Sequence, residues 1–131
     1  MAPAATPVTS LYVHVPFCAR KCTYCAFYSE PSGAELIQRY THALVRELEL
    51  VAPDLAPATV FFGGGTPSLL NLSQWQTILQ AFDRLGVLGA AEWTLESNPA
   101  TVSFDKARLW RAPEPSANTR GKSAALAIAG R

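Results

Sequence analysis

Residues 11–29 read LYVHVPFCARKCTYCAFYS. The opening LYVHV sets β-branched and aromatic residues beside smaller or polar ones, a composition that favours a strand. The segment behind it carries Cys18, Cys22 and Cys25, which are all 3 cysteines of the chain. A strand that runs into a ligand-bearing loop is the usual opening of an α/β fold, where ligands gather at the carboxyl ends of strands.

Working outward, EPSG (30–33) closes the cysteine loop. A helix is predicted from Ala34 to Val51, with Leu36, Ile37, Tyr40, Leu44, Leu48 and Val51 forming one apolar stripe. Pro53 stops it. TVFF (59–62) then reads as a short buried parallel strand leading into GGGTPS. Ser73 and Gln76 fit a capping box for a second helix, which runs through QWQTILQAFDRL to Gly86. EWTLES (92–97) alternates as a third strand, and Ser103 suits the cap of a third helix, FDKARLWR (104–111). Strand–helix alternation of this kind favours parallel strands joined by right-handed crossovers.

The totals narrow the class. A chain of 131 residues with 49% hydrophobic and 16% charged residues is long enough for one globular core. The net charge of +1 argues against a phosphate-tracking nucleic-acid surface and gives no electrostatic reason for membrane binding. Residues 1–10, MAPAATPVTS, lack the basic and apolar regions of a secretory signal and read as a flexible tail. No apolar run approaches the ~18 residues that span a bilayer. An odd number of closely spaced cysteines is a poor disulfide framework, so the expectation is a soluble cytoplasmic protein with available thiols.

C-x3-C-x2-C admits three chemistries. Structural zinc wants four protein ligands, usually as two knuckles, and here only His14 is near enough to serve as a fourth. A CTYC redox pair would leave Cys18 without a role. An iron–sulfur cluster held by three thiolates leaves one iron open, able to chelate a small molecule and pass it an electron. The vacant corner turns the missing fourth cysteine into the functional feature.

Other residues fall at the same end of the predicted sheet. Gly63, Gly64, Gly65 and Thr66 directly follow the second strand, where glycines let backbone N–H groups approach a ligand. A tight strand-to-helix turn is the plainer reading, and the run fits neither G-x-G-x-x-G nor a phosphate loop. Glu96 ends the third strand, although a lone strand-end glutamate is usually just solvated. Tyr12 is by base rate a strand aromatic, and His14 is read as a structural or hydrogen-bonding histidine.

Taken together, Cys18, Cys22 and Cys25 with Tyr24 before the last cysteine resemble the motif of the radical S-adenosylmethionine (SAM) superfamily. The resemblance implies a 4Fe–4S cluster on the three cysteines, its open iron binding the amino and carboxylate groups of SAM. It implies one-electron cleavage of SAM to methionine and a 5′-deoxyadenosyl radical. It further implies SAM contacts at Gly64, Gly65, Thr66 and Glu96, with Tyr12 and Tyr24 packing against SAM or the cluster.

Within that superfamily, residues 11–111 resemble the branch of HemW-type haem chaperones and oxygen-independent coproporphyrinogen III oxidases. CTYCAF and GGGTPSLL favour the chaperone side. The oxidases usually carry a further cysteine one residue beyond the motif, where this chain has Ala26 and Phe27. The branch implies haem or porphyrin as ligand, an electron donor, and acceptor proteins that receive haem. Whether the protein is an enzyme stays open, between a haem chaperone, a porphyrin-decarboxylating oxidoreductase and a zinc-binding interaction module.

The expected fold is α/β: about three βα units, the N-terminal half of a partial (βα)6 radical SAM barrel with parallel strands. Residues 112–131, APEPSANTRGKSAALAIAGR, have small polar residues, prolines and no large β-branched run. They read as a disordered, non-homologous tail, as a shift of reading frame near Ala112 would produce; the other frames of the gene test that. The GKS at 121–123 is no phosphate loop, since Ser116 stands where the first glycine belongs.

Overall fold

The computed structural model describes residues 6–18, 30–31, 33–111 and 125–130. Strand β1 (Val8–Val15) leads to two short strands, β2 (Phe17–Cys18) and β3 (Glu30–Pro31), which pair with each other in parallel. Helix α1 (Ala34–Val51) follows, then β4 (Leu55–Gly64), α2 (Leu72–Arg84), β5 (Glu92–Ser97), α3 (Phe104–Arg111) and β6 (Ala125–Gly130). The main sheet has the order β1-β4-β5-β6 with every neighbouring pair parallel. Each crossover advances by one strand, as it does around a βα barrel.

Side-chain alternation divides the sheet into two unlike faces. Val13, Val15, Val60, Phe62, Trp93 and Leu95 are buried on one face, in one core with Ile37 and Leu48 of α1, Trp75, Ile78 and Phe82 of α2, and Trp110 of α3. Phe62 lies at the centre, its ring 5.1 Å from Trp75 and 5.9 Å from both Phe82 and Trp93. Burying a side chain of that size contributes about 1.5–3 kcal/mol. Tyr12, His14, Phe61, Thr94 and Glu96 take the opposite parity, and Tyr12 remains 55% exposed.

Local signals fix the helices. Helix α1 has the predicted bounds and gives way to a 3-10 turn at Ala52–Asp54 containing Pro53. Its stripe is narrower than expected: Leu36 and Val51 are exposed, while Thr41 is buried with its hydroxyl bonded to the Ile37 carbonyl at 2.9 Å. The α2 cap is Asn71 with Gln74, not Ser73 with Gln76. That register puts Leu70 and Trp75, both buried, at the N′ and N4 positions of a hydrophobic staple, whereas a Ser73 cap would put Thr77 at N4. At the other end of α2, Gly86 takes φ +73°, its N–H meeting the Asp83 carbonyl and Val87 N–H the Phe82 carbonyl. That pair of bonds is a Schellman closure. Ser103 caps α3 as expected, accepting from Lys106 N–H at 3.1 Å.

Two differences concern the ends. Val8–Ser10, read from sequence as tail, begin β1, because the β1–β4 ladder extends past the buried core to Leu55. Ala125–Gly130 form β6 along Glu92–Ser97, where the sequence reading expected no regular structure. An unpaired parallel edge offers N–H and C=O groups to any extended segment, and ALAIA is small and apolar enough to take it. Among the described residues, no helix is long and apolar enough to cross a membrane.

Candidate cofactor site

The carboxyl ends of β1, β4 and β5 lie side by side. Val15 pairs with Gly64, and Phe62 with Leu95, so Glu96 stands one residue beyond at the same edge. Cys18 follows β1 there, as Gly65 and Thr66 follow β4. Of the predicted residues, Cys18, Gly64, Gly65, Thr66 and Glu96 are thus brought to one end of the sheet, while Tyr12 lies further back in β1, opposite Phe61. Cys22, Tyr24 and Cys25 lie outside the described residues.

Backbone bonds stitch the two loops together. Gly65 N–H donates to the Val15 carbonyl and Thr66 N–H to the Phe17 carbonyl, each at 2.7 Å. The Thr66 hydroxyl is oriented toward the Cys18 sulfur at 3.9 Å. Cys18 itself is a free, partly exposed thiol. These contacts demand glycine in two ways. Gly64 takes φ +106°, a region other residues rarely adopt. A Cβ at Gly65 would stand 2.5 Å from the Phe17 carbonyl oxygen and 2.8 Å from its nitrogen, both rigid backbone atoms.

Aromatic groups line the exposed side. Tyr12 stacks on Phe61 at 5.7 Å, and its hydroxyl lies 3.3 Å from Nδ1 of His14. The His14 ring occupies the space a Gly64 side chain would need, consistent with the structural role read from sequence. Sequence reasoning used Tyr40 only as part of the α1 stripe. Its hydroxyl donates to the His14 carbonyl, and its ring meets Phe17 edge-on at 5.0 Å. Burial, then the charges of Glu47 and Tyr12, push the Tyr40 phenol up to about 12. Helix α1 is thereby pinned to the strand that delivers Cys18.

The donor set suits a thiolate-bound metal centre: a free sulfur, a hydroxyl aimed at it, and a glycine loop whose backbone comes close without side chains. The sequence profile of the radical SAM superfamily matches residues 12–113. The chain belongs to the radical SAM superfamily. The radical SAM family implies SAM and a 4Fe–4S cluster, and among the described residues the Cys18 thiol and the adjoining glycine loop fit such a group.

Among radical SAM relatives, the chain is similar to the haem chaperone HemW of Escherichia coli, 40% identical over 105 residues covering 76% of this chain and 28% of that protein. It is also similar to an Escherichia coli anaerobilin synthase, 36% identical over 105 residues covering 76% of this chain and 23% of that protein. The solved structure of the coproporphyrinogen III oxidase HemN from Escherichia coli, a radical SAM enzyme, matches with a TM-score of 0.71 and 27% identity, covering 86% of this chain and 27% of that one. The chain spans about a quarter of the length of these radical SAM relatives.

Proposed function

We propose that this chain supplies the cluster-binding and part of the SAM-binding surface of a HemW-type protein that handles haem. Cys18, Cys22 and Cys25 hold the 4Fe–4S cluster. Gly64, Gly65, Thr66 and Glu96 contact SAM, with Tyr12 and Tyr24 packing against SAM or the cluster. When bound, cluster and SAM together supply one-electron chemistry at a sulfonium. The protein's own residues orient that pair: the Gly65 and Thr66 amides lock the glycine loop to β1, and Tyr40 holds β1 against α1. The observation that carries the reading is the approach of the Thr66 hydroxyl to the Cys18 sulfur, which joins the two motifs at one site.

Haem is the ligand of this reading, and haem-requiring proteins in the cytoplasm are its acceptors, with the cluster reduced by a separate electron donor. The 40% identity to a haem chaperone, HemW of Escherichia coli, supports it. A second reading, oxidative decarboxylation of coproporphyrinogen, is favoured by the structural match to HemN. Ala26 and Phe27, in place of the oxidases' additional cysteine, weigh against it.

Anaerobic reconstitution with iron and sulfide, then titration with haem and a decarboxylation assay, separates these. A brown cluster protein that binds haem without releasing carbon dioxide supports the chaperone. Turnover of coproporphyrinogen supports the oxidase. Uptake of zinc alone rejects both.

A further inference from the structure

Behind the glycine loop, a buried serine is linked by hydrogen bonds to half-buried and exposed polar groups of the next loop. Ser68 is fully buried. Its hydroxyl accepts from Asn98 N–H at 3.0 Å and meets the Thr101 hydroxyl oxygen at 2.5 Å. From the first turn of α3, Lys106 reaches back, its Nζ donating to the carbonyls of Ser68 and Thr101 at 2.9 Å each. The Asn98–Thr101 turn is closed on itself as well, with Ala100 N–H on Asn98 Oδ1 at 3.0 Å and the Thr101 hydroxyl on the Asn98 carbonyl at 2.8 Å. One ammonium thus bridges the loop after β4 and the loop after β5. Its acceptors are neutral carbonyls, and burial lowers its pKa from the usual lysine value.

Ser68 comes two residues after Thr66, and Asn98 two residues after Glu96. We infer that Lys106 is a positioning residue that, with Ser68, clasps these two loops and so sets the spacing between the Gly64–Thr66 and Glu96 halves of the SAM site. The inference rests on the SAM reading above. Lys106 touches neither cluster nor SAM in this role. Groups that orient a ligand's direct contacts commonly change affinity ~10–100-fold when removed.

The test uses the full chain, reconstituted anaerobically, with SAM affinity read from the change SAM causes in the spectrum of the reduced cluster. Lys106→Met keeps the stem and deletes the donors; Ser68→Ala deletes the hydroxyl of the clasp. Both are expected to stay folded at the assay temperature with the unmodified protein's iron and sulfide content, at a melting temperature lowered by the lost bonds, yet bind SAM about tenfold or more weakly. Lys106→Arg, which can still donate to both carbonyls, is expected to restore most of the affinity. Loaded variants that bind SAM within about twofold of the unmodified protein overturn the assignment. So does affinity lost only in step with iron content and the folded fraction at the assay temperature, since that marks a folding role. No response to SAM in the unmodified protein removes the SAM reading itself, and this role with it.

Discussion

Thr66 Oγ1 stands 3.9 Å from Cys18 Sγ, joining positions 48 apart in sequence. A donor to a ligating thiolate stabilises the more negative, reduced cluster and raises its potential. A hydrogen bond that is about 1 kcal/mol stronger to the reduced than to the oxidised cluster corresponds to roughly 40 mV in a one-electron couple. Thr66→Val is therefore expected to lower the midpoint potential by about 40 mV, and Thr66→Ser to restore it. A redox titration monitored by electron paramagnetic resonance reads both; an unchanged potential at equal iron content contradicts the sulfur contact.

Gly65→Ala forces a methyl group into the Phe17 backbone, which carries the chain to Cys18. Overpacking against rigid backbone costs about 1–3 kcal/mol, or more, and here it also opens the Gly65–Val15 and Thr66–Phe17 bonds. Urea denaturation should show that loss, with a reduced yield of cluster. Gly33→Ala is the milder comparison, because a Cβ there meets nothing within 4 Å; as a change at the α1 N-cap it should cost no more than about 1 kcal/mol.

Tyr40 gives the fold a sensitivity to alkali. Its phenol ionises near 10 when unfolded and about 12 when folded, chiefly because burial disfavours the phenolate. The unfolded chain thus loses its proton first. The stability contributed by the neutral phenol is whole below pH 10 and is lost as the pH rises toward 12. Tyr40→Phe should flatten that part of the stability curve, measured by denaturant midpoints between those pH values. It should also cost about 1 kcal/mol at neutral pH through the lost bond to the His14 carbonyl.

Phe62 is 2% exposed and packed among Trp75, Phe82 and Trp93. Phe62→Ala should cost about 3–5 kcal/mol. Calorimetry is expected to find the folded state lost or barely populated at 37 °C.

What the sequence made legible follows from how each element is specified. Helix α1 and strand β5 carry their periods along their whole length, so the expected bounds match Ala34–Val51 and Glu92–Ser97. Strands β1 and β4 start earlier than their apolar runs, since their first residues are held by ladder bonds that leave no mark on residue type. The α2 start differs from the Ser73–Gln76 expectation because Asn71 with Gln74 forms the box, the register that buries Leu70 and Trp75. Cys18 stands out by cysteine spacing, and the glycine loop and Glu96 by their places at strand ends and the resemblance to the superfamily. The roles of Lys106 and Tyr40 are not legible in sequence because both act on backbone carbonyls, which sequence patterns do not display.

The most direct trial of the account compares the reduced, anaerobically reconstituted protein before and after addition of SAM by electron paramagnetic resonance. The expected result is a 4Fe–4S signal that shifts with SAM and disappears in Cys18→Ala, Cys22→Ala and Cys25→Ala. A cluster indifferent to SAM, or one that survives loss of any of those cysteines, would contradict it.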